Sequence, residues 1–351
     1  MFSGSNSRRR EAGTIAAVLT LFYLCFHSYF YNFDGVACAI AVELGDLKWL
    51  VHGNHLGYGV VGWAFYGLFR LLGLNVPALL ALQALNSALG AATAGVFYAA
   101  LARAGVRRPV AAASTAGLAL SQAYWLWSLE AQVYPLGLFW MAWALREALA
   151  PRPRPARLGL FQALAMLGHV SHVMFTPAAL YVLRRRAGPD WRRAWACWAG
   201  ALGATLLAAY SWAALFCVRP ASFDEWRVWL LGSAALTLNK RFAWHGAYSW
   251  HGLRDWAFMS ARIFSDFLSL SGAASAAAAA LGLGCLGLAG IGAWRSARSS
   301  RRHEAVLCGL WLAPYAALFL SWEPFTTVYR LSDLLPLWLL IALAFERSSQ
   351  A

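Results

Sequence analysis

Phe33 to Tyr58 reads FDGVACAIAVELGDLKWLVHGNHLGY, and how this stretch sits against a membrane decides the fold of the whole chain. It holds three carboxylates (Asp34, Glu43, Asp46) and two histidines (His52, His55) between apolar segments. A polar group facing hydrocarbon costs several kcal/mol, so such a stretch needs water or a cavity. Around it the sequence is 60% hydrophobic and 13% charged, with a mean hydropathy of +0.52. Apolar runs long enough to span a bilayer recur from Ala12 to the C-terminus. The fold class this implies is all-α: a polytopic transmembrane helical protein, with residues 1–351 a single integral membrane domain and no soluble C-terminal domain. A net charge of +14 would suggest nucleic acid for a soluble chain. Here the arginines fall in short clusters between apolar runs, the pattern that orients a membrane protein, and nucleic acid is excluded as a partner. The six cysteines show neither metal nor redox spacing and read as packing residues. The N-terminal SRRR with its apolar run imitates a signal peptide, but no small-residue cleavage site follows, so the run is read as an uncleaved first span.

Arg8, Arg9 and Arg10 hold the N-terminus in the cytoplasm, and a span over about 12–31 delivers Asp34 to the outside. Between Asp34 and Leu50 polar and apolar residues mix at helical spacing, which predicts a juxtamembrane helix lying in the interface. His52-Gly53-Asn54-His55 breaks that pattern. The next run, Gly57 to Leu72, is of marginal length for a span and carries four glycines, several aromatics and Arg70. Parity decides its placement. If it crosses, every later Arg cluster lands outside. If it lies in the interface, twenty of the 29 Lys and Arg are inside and ten of the fifteen carboxylates outside, the arrangement the positive-inside rule prefers. The first external loop is therefore 33–76. About ten spans result: 12–31, 77–101, 110–127, 131–148, 157–168, 171–183, 194–217, 270–294, 305–321 and 332–345, with both termini cytoplasmic. The segment 157–183 is too short for two full spans and reads as two short helices or a re-entrant hairpin turning at Gly168 to His172. The PRPRP stretch, Pro151 to Pro155, reads as a cytoplasmic connector. A large external loop covers 218–269.

Three groups of external carboxylates fall on one face in this topology: Asp34, Glu130 at the turn between the third and fourth spans, and Glu323 with Asp333 near the last. A carboxylate partly shielded at the end of a span gains proton affinity and can accept a proton from a hydroxyl nucleophile. In a two-carboxylate arrangement one is the base, while the other holds a divalent cation or orients the nucleophile. Glu130 is then the candidate ligand for Mg or Mn. The plainer alternative is that each marks a helix end in water. His52 with His55, and His169 with His172, are pairs three apart that would share a helix face. They suit metal ligation, hydrogen bonding to a phosphate or sugar, or structural contacts; a zinc site needs a third ligand, and none is evident. Lys240, Arg241 and Arg330 are external cations suited to a lipid phosphate, or to snorkelling among headgroups. Tyr124, Trp125, Trp127 and Tyr134 around Glu130 read as a sugar-stacking wall or as an interfacial aromatic belt.

Four stretches resemble the GT-C glycosyltransferases, in particular the polyprenyl-phosphate-sugar users similar to protein O-mannosyltransferases and aminoarabinose transferases. They are FDG (Phe33 to Gly35) with HGNHLGYG (His52 to Gly59); WSLEAQVYPLGLFW (Trp127 to Trp140); LGHVSHVMFTPAALYVL (Leu167 to Leu183); and WEPFTTVYRLSDLLPLWLL (Trp322 to Leu340). The resemblance implies a GT-C-like fold, a catalytic acid at Asp34, a second acidic residue at Glu130 and a donor-phosphate site on basic residues such as Arg330. Two departures stand out: a single acidic residue in the first motif where many members have a pair, and no appended C-terminal domain. The expected function is inverting transfer of a sugar from a polyprenyl-phosphate donor to a hydroxyl of a protein, glycan or lipid acceptor. The expected place is the external face of a bacterial inner membrane, with the donor's tail in the lipid bilayer. A transporter or flippase of lipid-linked substrates is the rival reading, and a noncatalytic membrane scaffold a second; the inverted repeats a transporter would show are not found in the sequence.

Overall fold

The computed structural model describes residues 3–26, 28–29, 31–239 and 250–346. Among these, all regular structure is helical. The α-helices in order are α1 (Ser3–Cys25), α2 (Phe33–Leu44), α3 (Leu47–Leu50), α4 (Leu56–Leu71), α5 (Ala78–Arg103), α6 (Arg108–Leu120), α7 (Gln122–Leu129) and α8 (Tyr134–Ala148). There follow α9 (Pro155–Gly168), α10 (Thr176–Arg186), α11 (Trp191–Trp212), α12 (Phe223–Asn239), α13 (Trp250–Arg262), α14 (Gly272–Ala297), α15 (Arg302–Ser321) and α16 (Leu331–Ala344). A 3-10 turn, Val170–Phe175, joins α9 to α10, and a π-helical turn, Ala213–Val218, extends α11.

Four helical stretches are long and apolar enough to cross a membrane among the described residues: Ala78–Arg103, Gly188–Val218, Gly272–Ala297 and Arg302–Ser321. The other expected passes are shorter or interrupted. The stretch 110–127 breaks at Ser121, whose extended backbone (ψ 135°) separates α6 from α7, and its hydroxyl bonds back to the Gly117 carbonyl at 2.8 Å. The first helix stops at Cys25, short of 31. The connector after α8 ends one residue early, because Pro155 is already the first residue of α9, where its missing N–H costs nothing.

The loop after α1 is helical where its pattern predicts a helix, but the stretch from Asp34 to Leu50 is broken in two at Gly45 and Asp46. Asn32 caps α2 by accepting the Asp34 N–H at 2.9 Å, and Gly45 closes that helix in the left-handed region (φ 66°), which a Cβ would disfavour. Asp46 caps α3 in the same way. Leucine, alanine and tyrosine side chains of α2 and α4 close a small core on the first turns of α5 and on Ala131 and Val133, before α8. A larger core runs through α5, α6, α8, α10, α15 and α16.

The Arg clusters gather at one end of this bundle. Arg8 donates to the Val106 carbonyl, Arg108 pairs with Glu11 at 3.0 Å, Arg107 pairs with Glu346 at 3.4 Å, and Arg295 donates to the Ala344 carbonyl at 2.7 Å. Arg301 reaches the Ala104 carbonyl, so cations sit on the exposed carbonyls of helix C-termini. The polar first loop packs at the other end of α5, about 39 Å away along a 26-residue helix.

Candidate active site

Asp34 enters the site as the second residue of α2, where the helix dipole favours a carboxylate. Its placement depends on Gly35. A Cβ there would come within 2.5 Å of the Ala131 carbonyl oxygen, so α2 can lie against the turn before α8 only with glycine at this position. The His52–His55 turn is fastened by its backbone. The carbonyl of Val51 accepts the Trp229 indole N–H at 2.9 Å, that of Gly53 the Tyr210 hydroxyl at 2.6 Å, and that of Asn54 the Val170 N–H at 2.8 Å. Loop carbonyls in apolar surroundings need such donors, and here they tie three distant segments to one turn.

These elements enclose a cavity of about 620 Å³. Asp34, His52, His55, Tyr134 and His169 line it, together with Trp49, Asn54, Phe319, Trp322 and Tyr329. His52 and His55 stack with ring centroids 4.4 Å apart and an interplanar angle of 11°. His52 Nδ1 accepts the Asn54 N–H at 3.2 Å, leaving Nε2 to carry the proton of the neutral ring. His169 is held likewise: its Nδ1 accepts the Ser171 N–H at 3.3 Å, and its ring lies 4.5 Å from that of Tyr134. Tyr134 continues edge-on to Tyr329, which stacks on Phe319 at 5.2 Å. One side of the cavity is thus an aromatic wall.

Asp34 and His52 are exposed residues that the surrounding protein only partly desolvates. That partial desolvation raises the Asp34 carboxyl, against the opposing pull of His52. Desolvation lowers His52, and pushes His55 and His169 down to about 3, with neighbouring imidazoles adding to the effect. The cavity therefore presents a carboxyl of raised proton affinity among imidazoles whose proton affinity is lowered, and no Lys or Arg is among the described residues that line it.

Five of the residues expected from the sequence meet there; Glu130, His172, Glu323 and Arg330 do not line it. Glu130 is 1% exposed and is not among the residues that line the cavity. Its carboxylate accepts the Ser28 hydroxyl and the Asn32 N–H, and its backbone carbonyl accepts the Asn86 amide at 2.5 Å. Burial raises its pKa while those donors lower it. As a ligand for Mg or Mn it has no second carboxylate or imidazole grouped with it among the described residues. No three His, Cys, Asp or Glu among the described residues are arranged to hold a metal, since the stacked His52 and His55 rings do not converge their in-plane lone pairs.

His172 points away from His169: its Nδ1 lies 2.8 Å from the Tyr315 hydroxyl inside the core. The two share a 3-10 turn in place of the expected α-helical face. Arg330 is no free cation. It is 3% exposed, bonded to Asp333 at 2.5 Å and to Ser260 at 3.1 Å, and lies over the Trp256 ring at 4.7 Å, so it ties α13 to α16. Glu323, at a positive φ of 44°, accepts from Thr326 at 3.4 Å and does not line the cavity. Lys240 and Arg241 lie outside the described residues. Of the four aromatics expected around Glu130 only Tyr134 reaches the cavity; Tyr124 bonds to the Gly90 carbonyl and Trp127 to Thr327, while Trp125 packs on Phe22 and Phe26. Sequence reasoning missed Trp322 and Tyr329, although both stand in the quoted WEPFTTVYR stretch; the aromatics there were the available signal.

Comparison with protein-family models, with curated proteins and with solved structures finds no match. The fold and site define an all-helical protein with several apolar helices able to span a membrane, carrying one acidic, histidine-rich and aromatic cavity at the end opposite its arginines.

Proposed function

We propose that this chain is a polytopic membrane glycosyltransferase of GT-C type, moving a sugar with inversion from a polyprenyl-phosphate donor to a hydroxyl acceptor at the external face. The observation that carries this reading is that Asp34, His52, His55, Tyr134 and His169, drawn from three separate parts of the sequence, line one cavity. The arginine end faces the cytoplasm of a bacterial inner membrane, about ten segments pass or re-enter the bilayer, and α4 lies in the external interface.

In this mechanism Asp34 takes the proton of the acceptor hydroxyl as that oxygen bonds to the anomeric carbon. The bond from that carbon to the donor phosphate breaks, and its electron pair leaves on the phosphate oxygen. Raised proton affinity suits a carboxylate to this role near neutral pH. The Nε2–H groups of His52 and His169 supply hydrogen bonds to the departing phosphate, whose charge is greatest in the transition state. The wall of Tyr134, Tyr329 and Trp322 offers faces for a sugar ring. The donor's tail stays in the bilayer while its head enters the cavity.

The test uses full-length protein in vesicles with a labelled polyprenyl-phosphate sugar and a membrane extract as acceptor. Labelled product from wild type and none from a folded Asp34→Asn variant is the expected result. An Asp34→Asn protein with full activity would remove Asp34 as the base. Movement of label across the bilayer with no product would favour a transporter.

A further inference from the structure

A second polar feature lies at the arginine end, away from the cavity. The connector after α8, the last turn of α10 and the first turns of α11 surround a cleft of about 390 Å³. Arg152, Arg186 and Arg193 stand around it, all exposed, with Asp190 the lone carboxylate and Leu183 and Pro153 in its lining. Other arginines nearby are engaged: Arg184 and Arg192 lie over Trp191, and Arg157 over Phe161. Arg152, Arg186 and Arg193 make no ion pair or side-chain hydrogen bond among the described residues, although six other arginines of the chain do pair with carboxylates. Three guanidiniums held around one concavity against a single acid leave a surplus of positive charge, and guanidinium geometry suits phosphate oxygens.

The helix leading away from the cleft supplies the second half of the argument. The stretch Gly188–Val218 is the barest of the membrane-length helices, with 11% of its apolar window buried, and Leu207 and Leu215 stand 70% and 67% exposed along it. Such a surface is covered by lipid tails in a bilayer. The cleft sits at its arginine end, where an anionic headgroup joined to tails along α11 would meet it. We propose that this cleft binds the phosphate headgroup of an anionic phospholipid whose acyl chains lie along α11. The site is independent of the reading given to the cavity.

The experiment reconstitutes the full chain in phosphatidylcholine vesicles with or without phosphatidylglycerol, extracts it gently, and counts retained lipid by native mass spectrometry. Wild type should keep phosphatidylglycerol over phosphatidylcholine. The variant R152Q/R186Q/R193Q should bind it roughly 100-fold more weakly, as three basic groups at a membrane surface would give. The variant R184Q/R185Q/R192Q, with the same charge removed from the same face but from arginines outside the cleft lining, should weaken binding clearly less than the cleft variant does. Should the first variant not fold, the three single substitutions carry the test, each weakening binding about fivefold. Equal loss in both triple variants would overturn the proposal, as would equal retention in the cleft variant and wild type. Displacement of the lipid by equimolar inorganic phosphate would also overturn it, and would assign the cleft to a free phosphate.

Discussion

Glu130 and Asn32 are joined by a hydrogen bond from the Asn32 N–H to the Glu130 carboxylate, and Asn32 in turn caps the helix on which Asp34 sits. The second acidic residue of the chain thus acts on the first through one intervening residue. In the proposed transferase it is a positioning residue. Replacing Glu130 by Ala leaves the Ser28 hydroxyl and the Asn32 N–H without their acceptor, at a cost of about 1–3 kcal/mol of stability. Transfer should fall through kcat with little change in KM, and Glu130→Gln, which keeps an acceptor, should recover most of it. Equal losses in the Ala and Gln variants would point to a requirement for the charge itself.

The pH profile of transfer should carry an acidic limb due to Asp34. A base works only when deprotonated, so activity falls as pH drops through its pKa, and that limb is shifted upward from the ordinary carboxylate value because the cavity partly desolvates this exposed residue. Asp34→Asn should lower the rate by about 100- to 10,000-fold and abolish the limb. Rate measurements on both proteins across the acid range decide this.

His55 and His169 should stay neutral from pH 5 to 8. Their pKa values near 3 lie below that of an unfolded histidine, about 6.5, so between the two the unfolded chain binds more protons. Their contribution to stability is complete above about 6.5 and is lost as pH falls toward 3. NMR of histidine-labelled protein should show no titration of either ring near neutrality. The acid-side drop in thermal midpoint should be smaller in the double variant His55→Phe, His169→Phe.

Arg330 should matter to folding and not to donor binding. Removing it leaves Asp333, 2% exposed, without its cation, and a broken buried pair costs about 3–5 kcal/mol. Arg330→Ala should therefore lower the unfolding midpoint sharply. The double variant Arg330→Met, Asp333→Leu should recover it with an unchanged KM for the lipid donor; a raised KM in that folded variant would return Arg330 to the substrate site.

Single cysteines introduced at Leu47, Leu74 and Ser299, in a chain otherwise free of cysteine, test the parity argument. An impermeant maleimide should label the first two from the outer side of intact cells and the third only in inverted vesicles. Labelling of position 74 from the inner side would mean that α4 crosses.

The sequence by itself determined the helical class, the helical character of the first loop and the grouping of its arginines. These are local matters of apolar run length, of helical spacing between Asp34 and Leu50, and of charge sorted between apolar runs. It also picked out Asp34, His52, His55, Tyr134 and His169, because polar groups beside an apolar core are few and each needs a reason. Only the tertiary structure decided which way they face. His169 caps the 3-10 turn in which His172 lies three residues on, yet one meets the cavity and the other Tyr315. Arg330 reads as an exposed cation until α13 folds over it, and Glu130 as a partner of Asp34 in the cavity until its carboxylate is buried against Ser28 outside the cavity lining. Side-chain direction depends on the packing of segments far apart in the chain, and neither composition nor spacing carries that information.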